Sequence, residues 1–312
     1  MNANYVVMRL SDGLGNQLFQ YALGRRLAFE RGAQLFLDAY WYDPAHCPRS
    51  DRPLALRQFN IKGEITSDNR WSKIWLRPTL AGRLSWRLEQ NFLPRRWRDF
   101  VRETPEEIRL LARTFDPEVL RVRRNPYLFG YWLSHRYFEG IEHVLRDDLT
   151  LKEEALRSVK PYLDNIQNSE SVSIHIRRGD FLKHPDFGIL DQGYYIKALQ
   201  IIRQKVKDAS FFVFSDDLAE AKQVLEGLGH FQYVDLGPGV SPACDLYLMA
   251  SCKHHINANS TFSWWGAWLS RNPASVVIVP DKWFVGAGVE VKDIYPPQWI
   301  KLPVNSCASV DA

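Results

Sequence analysis

The chain has 312 residues, of which 46% are apolar and 24% are charged. This length and balance allow a sizeable buried core and suit two α/β domains, so a disordered or fibrous protein is excluded. A net charge of +4 is too small to indicate a nucleic-acid-binding protein. Four scattered cysteines lack the spacing of zinc or redox sites, and the opening residues are too briefly apolar for a signal peptide or a membrane span, so we expect a cytoplasmic protein.

The N-terminal half opens with a predicted strand at residues 5–8, a glycine turn, a helix at residues 16–31 and a strand at residues 34–38. After residue 40 the pattern becomes irregular up to about residue 150. Strands that alternate with an amphipathic stretch are typical of a βαβ unit. We therefore predict a first Rossmann-like domain with an irregular insertion over residues 1–155.

Within the irregular stretch, residues 70–102 combine many arginines with four tryptophans: Trp71, Trp75, Trp86 and Trp97. An ordinary packed insertion would explain this composition. Two other interpretations are a platform for an acceptor sugar and a contact with the membrane surface, where amphipathic side chains of these types are favoured. The last interpretation would place the protein at the inner face of the plasma membrane.

The C-terminal half shows a regular alternation of strands and helices. Strands are predicted at residues 172–176, 211–214, 233–236, 255–258 and 276–279. Helices are predicted at residues 193–207, 218–228, 244–251 and 260–271. Connections of this kind build a doubly wound parallel sheet, so we predict a second Rossmann-like domain over residues 156–312.

Two arginines follow the first strand of this half, in the sequence HIRRGD at residues 175–180. Strand alternation places His175 and Arg177 on one face, and Gly179 allows a sharp turn that brings Arg178 toward the same edge. Ligands bind open α/β sheets at the carboxyl ends of their strands. Paired guanidinium groups suit a diphosphate there and would stabilise the charge that develops as it leaves.

The next strand leads into Ser215 and two acidic residues, Asp216 and Asp217. A carboxylate at this edge could accept hydrogen bonds from a guanine base. Alternatively, one of the two aspartates caps the next helix, a role that these residue types fill well.

A third segment, residues 257–268, runs from a strand into a helix through Asn259, Ser260, Thr261 and Ser263. Amides and hydroxyls at a helix N-terminus can form an anion site. The tryptophans that follow, Trp264, Trp265 and Trp268, have the spacing of helix-to-sheet packing, so we assign them to the core.

The segment at residues 11–20 runs from the first strand through a glycine turn into the first helix and contains Asp12, Gly15, Asn16 and Gln17. A GxG pattern by itself is weak evidence of a nucleotide site. However, all four polar segments follow predicted strands, so they gather at the edges of two sheets. We expect these edges to face each other across a cleft.

These segments resemble the α-1,2-fucosyltransferases, glycosyltransferase family eleven. The HIRRGD sequence at 175–180 looks like the family's HxRRxD signature, and GLGNQLFQY at 13–21 and NSTFSWW at 259–265 look like two further blocks in the right order. The resemblance implies a GT-B fold in which the C-terminal half holds the donor and the N-terminal half holds the acceptor.

The resemblance also implies roles for individual residues. Arg178 and Arg177 would hold the pyrophosphate of the donor. Asp216 or Asp217 would bind guanine together with His175. The remaining substrate-binding residues that we assign in this way are Gly15, Asn16, Gln17, Ser215, Asn259, Ser260, Thr261 and Ser263.

The reaction implied is transfer of L-fucose from GDP-β-L-fucose to the 2-hydroxyl of a galactose-terminated glycan, with inversion and without a covalent intermediate. Asp12 and Asp180 are the two candidates for the general base. No DxD metal pair is present where one would be expected, and the arginines supply positive charge, so we expect no cofactor and full activity in EDTA. We also expect Arg178→Ala to lower turnover by orders of magnitude while the fold is retained, because an arginine at a strand end should contribute little to the core.

Three alternatives remain. A related fucosyltransferase could form an α-1,6 or protein O-linked product. A basic, aromatic-rich protein could bind nucleotides or RNA. A non-catalytic protein of surface-polysaccharide assembly could keep this fold. The acceptor that we favour is a lipid-linked repeat unit of a bacterial surface polysaccharide.

Overall fold

The computed structural model describes residues 4–44, 52–67, 69–71, 80–103, 115–122, 125–179, 188–284 and 293–304. The chain divides into two compact units, Met1–Leu149 with Lys292–Tyr295 and Thr150–Val291 with Pro296–Ala312. The predicted boundary after residue 155 stays a prediction. It would fall inside a helix of the second unit, Glu153–Gln167.

The first unit contains a five-stranded parallel sheet with the order β3-β2-β1-β5-β4. Its strands are β1 (Tyr5–Arg9), β2 (Gln34–Asp38), β3 (Glu64–Thr66), β4 (Phe100–Arg102) and β5 (Tyr127–Phe129). Its α-helices are α1 (Leu14–Arg31), α2 (Leu80–Phe92), α3 (Pro117–Leu120) and α4 (Glu142–Asp148). Short 3-10 helices cover Tyr40–Tyr42, Ala55–Gln58, Asn69–Trp71, Arg95–Trp97 and His135–Phe138.

Helix α1 packs directly on the centre of this sheet. The middle of β1 is fully buried, and a side chain added at Gly24 of α1 would come within 3.1 Å of Met8 and Leu35 on the two central strands. The helix ends at Gly32, which adopts a left-handed conformation and closes the last turn. The predicted strands and helix at the start of the chain are therefore confirmed, and the stretch expected to be irregular holds three more strands.

Trp71 packs within the first unit, where its ring lies 5.6 Å from Tyr5 and 5.3 Å from Phe36. This contact agrees with the packed-insertion interpretation for the start of residues 70–102. Trp75 and the side chain of Trp86 lie outside the described part of the chain.

The second unit contains a six-stranded parallel sheet with the order β11-β10-β9-β6-β7-β8. Its strands are β6 (Glu170–Ile176), β7 (Ala209–Ser215), β8 (Gln232–Tyr233), β9 (His254–Ile256), β10 (Val277–Pro280) and β11 (Ile300–Leu302). Its helices are α5 (Glu153–Gln167), α6 (Gln192–Lys205), α7 (Leu218–Val224), α8 (Pro242–Ser251) and α9 (Thr261–Leu269). All five strands predicted for this half are present.

The two faces of β6 differ as alternation predicts. Val172, Ile174 and Ile176 belong to the apolar core that includes residues of α6. His175 lies on the other face, against Phe262 near the start of α9. Trp264 and Trp265 of α9 are buried in the core, as predicted, whereas Trp268, assigned to the core as well, is only partly buried.

Among the described residues, no helix combines the length and the apolar character that crossing a bilayer would require.

Candidate functional site

The carboxyl ends of β6 and β7 bring the paired arginines and the acidic residues together. The two strands pair along their whole length, with Ile176 opposite Ser215, so the residues that follow them meet. Arg177 Nη1 forms an ion pair with Asp216 Oδ2 at 2.9 Å, and the backbone N–H of Arg178 donates to Asp216 Oδ1 at 2.9 Å. One carboxylate therefore holds the turn and orients the first arginine.

Arg178 is buried, and its side chain connects the turn after β6 to the backbone of Leu190. It is only 5% exposed, and its guanidinium donates to the backbone oxygens of Arg177 at 3.2 Å and Leu190 at 3.0 Å. The expectation that this side chain contributes little to the core is therefore wrong. Asp180, the next candidate along the loop, lies outside the described residues.

Gly179 is required where Asp216 packs against the turn. A Cβ atom at this position would overlap the Asp216 Oδ2 atom and lie 3.0 Å from its Cγ. Any side chain at position 179 would push the carboxylate away from both arginines.

Asp217 caps the helix that follows β7. Its Oδ1 atom accepts hydrogen bonds from the N–H groups of Ala219 and Glu220, each at 3.1 Å, and the Ser215 hydroxyl bonds to the Asp217 backbone. Of the two aspartates, Asp217 is thus the cap, and Asp216 lies beside the arginines. The guanine-binding role that we predicted for one of them stays a prediction.

His175 is a buried, neutral imidazole beside the arginines. Burial and, second, the charge of Arg177 lower the pKa of His175 to about 3. Its Nδ1 atom has no hydrogen-bond partner among the described residues, and the same is true of the side-chain amide of Asn257, which follows the adjacent strand β9. Buried polar groups are normally paired, so we add Asn257 to the candidate site residues.

The segment before α9 is held by its own polar groups. Asn259 Nδ2 donates to the backbone oxygens of Gly188 and Trp283 at 3.3 and 3.1 Å. Ser260 caps α9, and the fully buried Ser263 hydroxyl donates back to the backbone of this turn. Thr261 is partly exposed at the first position of the helix. These contacts hold the turn before α9 in place. The phosphate-binding roles of Ser260, Thr261 and Ser263 stay predictions.

In the first unit, the glycine turn places Asp12 at the edge of the sheet in a left-handed conformation, with φ of 62°. Aspartate is one of the few residues that tolerate this conformation. The backbone oxygen of Asp12 accepts hydrogen bonds from Gln17 and Tyr42, and its Oδ2 atom accepts a short hydrogen bond from the Tyr131 hydroxyl. The other carboxylate oxygen, Oδ1, has no partner among the described residues.

The other predicted residues of this turn differ in exposure. Gln17 is fully buried, and its amide contacts the backbones of Asp12, Pro53 and Leu56, so it anchors a neighbouring loop. Gly15 is buried in the first turn of α1. Asn16 is half-buried, and its side chain makes no hydrogen bond with the described residues. Their substrate-binding roles stay predictions.

Sequence reasoning missed a second strained loop beside Asp12. Trp132, after β5, has φ of 56°, which is unfavourable for a bulky residue, and the 7%-exposed Glu103 accepts hydrogen bonds from the N–H groups of Tyr131 and Trp132 at 2.6 and 3.1 Å. Strands β1 and β5 are neighbours, so the strained residues Asp12 and Trp132 lie at the same sheet edge. Backbone strain of this kind clusters at functional sites.

Similarity to known proteins extends over most of the chain. The family model described as Glycosyl transferase family 11 matches residues 95–303. An Escherichia coli protein named alpha-1,2-colitosyltransferase is 30% identical over 95% of this chain and 98% of its own length. A second Escherichia coli protein, the O-antigen biosynthesis glycosyltransferase WbnK, is 30% identical over 94% of this chain and 99% of its own length. Galactoside alpha-(1,2)-fucosyltransferase 2 of Oryctolagus cuniculus is 24% identical over 94% of this chain and 75% of its own length.

Two solved structures show the same fold. An Arabidopsis thaliana FUT1 mutant in complex with GDP has a TM-score of 0.56 and 12% identity, over 91% of this chain and 72% of that one. NodZ alpha-1,6-fucosyltransferase co-crystallized with GDP has a TM-score of 0.51 and 16% identity, over 86% and 92%. The predicted GT-B class, with two Rossmann-like domains, is confirmed.

Proposed function

Because this chain belongs to glycosyl transferase family 11, we propose that it transfers L-fucose from GDP-β-L-fucose to the 2-hydroxyl of a terminal galactose-type sugar. The relatives named for 1,2-linked transfer support the linkage, and the relative named for O-antigen biosynthesis supports an acceptor in a bacterial surface polysaccharide. The structural neighbours that contain GDP support a GDP-sugar as the donor.

The arrangement at the ends of β6 and β7 is the observation that carries the donor assignment. Asp216 fixes Arg177 by an ion pair and the turn at Arg178 by a backbone hydrogen bond. Fixed positive groups stabilise the charge that develops as GDP leaves and do not have to reorganise during the reaction. His175 is uncharged at neutral pH, so it can form hydrogen bonds beside the arginines without adding another positive charge.

The chemical step is a single displacement. The 2-oxygen of the acceptor bonds to C1 of fucose while the bond from C1 to the β-phosphate oxygen breaks, and its electron pair leaves with GDP. The anomeric centre therefore inverts from β to α. Asp12 is the group that we assign to receive the hydroxyl proton, because its Oδ2 is held by Tyr131 and its Oδ1 takes no hydrogen bond from the described residues.

Product linkage tests this function directly. Purified protein would be incubated with GDP-fucose and a panel of β-galactosides including lactose, with and without EDTA, and the product linkage would be determined by NMR. We expect a Fucα1-2Gal product and equal GDP release in EDTA. An α-1,6 or peptide-linked product would overturn the linkage, and loss of activity in EDTA would overturn the metal-free mechanism. RNA binding that falls steeply with salt, without turnover, would overturn the enzyme assignment.

A second candidate donor sugar is colitose, which is L-fucose without its 3-hydroxyl group. It is favoured by the relative named alpha-1,2-colitosyltransferase, whose match extends over almost the whole of both chains. The two donors would be compared by kcat/KM with the same acceptor. A site that hydrogen-bonds the 3-hydroxyl group rejects the sugar that lacks it by several orders of magnitude, whereas an apolar pocket discriminates weakly, so the ratio decides the natural donor.

Gly179→Ala tests the role of Asp216 as the support of the arginines. The added methyl group displaces the Asp216 carboxylate, so we expect kcat/KM for the donor to fall at least about tenfold, with a small change in melting temperature. Gly193→Ala is the control for a milder contact, since this glycine lies in the first turn of α6 and an added Cβ would lie 3.3 Å from Oδ1 of the capping residue Asp191, without overlapping it. Equal activity of the two variants would contradict the role of Asp216.

A further inference from the structure

Helix α2 exposes a continuous row of large apolar side chains. Leu84, Leu88 and Phe92 follow one another at four-residue intervals and are 60%, 50% and 76% exposed. Leu93 and Trp97, which follow the helix, are also exposed, at 42% and 38%. Six large apolar side chains are strongly exposed in the described part of the chain, and five of them lie in this short stretch. We call the five residues the apolar row.

The helix is attached to the protein through its polar side. Glu89 is 9% exposed, and its Oε1 atom accepts hydrogen bonds from the N–H groups of Asp99 and Phe100 at 2.6 and 3.3 Å. Gln90 donates to the backbone oxygen of Phe100 at 3.0 Å. Surface helices normally bury their apolar side and expose their polar side. Among the described side chains of α2 this arrangement is reversed, which indicates that its outer side faces something other than water alone.

The charges around the apolar row are mainly positive. Residues 80–99 contain two acidic residues, Glu89, which faces the protein, and Asp99, and five arginines: Arg83, Arg87, Arg95, Arg96 and Arg98. Arg95 and Arg96 are paired with Asp116 and Glu118. Arg87 is exposed and has no acidic partner among the described residues.

From this combination we propose that α2 docks on the surface of a bilayer that contains anionic lipids. A helix lying in the interface inserts its apolar side among the acyl chains, while neighbouring arginines contact the anionic headgroups. A second copy of the chain fits less well, because a symmetric contact would bring the same arginines of two molecules together. Docking would bring the enzyme to an acceptor carried on a lipid, and it does not depend on the reaction proposed above.

Vesicle sedimentation of the full chain tests docking. The probes are vesicles of phosphatidylcholine alone and vesicles in which phosphatidylglycerol replaces part of it. We expect binding to the anionic vesicles that weakens as salt is raised. The double variant Leu88→Ser and Phe92→Ser should bind at least about tenfold more weakly, and Arg87→Gln about fivefold more weakly.

Phe29→Ser is the matched control, because Phe29 is 49% exposed on α1, outside the apolar row. It should bind vesicles like the unchanged protein. Thermal unfolding of each variant checks that the fold is retained, which is expected because the replaced side chains are exposed. The proposal would be overturned if the protein did not bind vesicles, or if the double variant bound them equally well. It would also be overturned if the protein self-associated and the double variant abolished that association. The last outcome would identify a second copy as the partner.

Discussion

Arg177→Ala should lower kcat/KM for the GDP-sugar donor by about 10²–10³-fold, with a melting temperature close to that of the unchanged protein. Arg177 follows the end of β6, its side chain is 16% exposed, and its ion pair is to Asp216, which keeps the backbone hydrogen bond from Arg178 after the change. The variant therefore removes charge from the site while the turn is retained. Steady-state kinetics over a range of donor concentrations, with thermal unfolding, would measure both effects.

Arg178→Ala should be compared with Arg177→Ala, because Arg178 is buried and supports the backbone of the turn after β6. Losing the buried guanidinium and its hydrogen bond to the Leu190 oxygen should destabilise the second unit by about 1–3 kcal/mol, in addition to any loss of turnover. Arg157→Ala, on the exposed side of α5, is the control and should leave both quantities unchanged. Near-normal activity of Arg177→Ala would contradict the assignment of the pyrophosphate to this turn.

The second unit could be predicted from the sequence because its strands alternate regularly with helical stretches, so that even the short strands β8 and β9 are marked by their place between helices. Strands β6 and β7 have seven residues each; β6 alternates apolar and polar residues, and β7 has the continuous apolar run of a buried strand. The placement of the arginines at a strand end follows directly from this pattern. Their contact with Asp216 could not be predicted in the same way, because it requires β6 and β7 to be neighbours in the sheet. The order of elements along the chain does not determine which strands are neighbours.

The first unit was harder to predict for a physical reason. Strands β3, β4 and β5 have three residues each, too few for an alternation to be recognised. The sequence therefore gives no sign that Tyr131 and Glu103 follow two strands of one sheet. Whether Asp216 would cap a helix or face the arginines was likewise undecided in the sequence, and the structure assigns the cap to its neighbour Asp217.

Asp12→Asn should lower kcat by about 10²–10⁴-fold, while KM for the donor changes little. Asparagine has nearly the same shape and also tolerates the left-handed backbone of this position, so the turn should be retained. What is lost is the carboxylate that receives the hydroxyl proton. Steady-state kinetics and thermal unfolding would measure the effect, and a fall in kcat at unchanged donor KM and unchanged melting temperature is not expected of a purely structural change.

Tyr131→Phe separates positioning of the base from the base itself. The variant keeps the Asp12 carboxylate but removes the hydroxyl that holds its Oδ2, so we expect a smaller fall in kcat, about tenfold, because a hydrogen bond to a charged group typically stabilises by about 1.5–3 kcal/mol. The exposed Asp164→Asn serves as the control and should behave like the unchanged enzyme. If Asp12→Asn retained normal kcat while Asp180→Asn lost it, the proton acceptor would be Asp180. The strained turn at Asp12 would then serve to position the acceptor sugar.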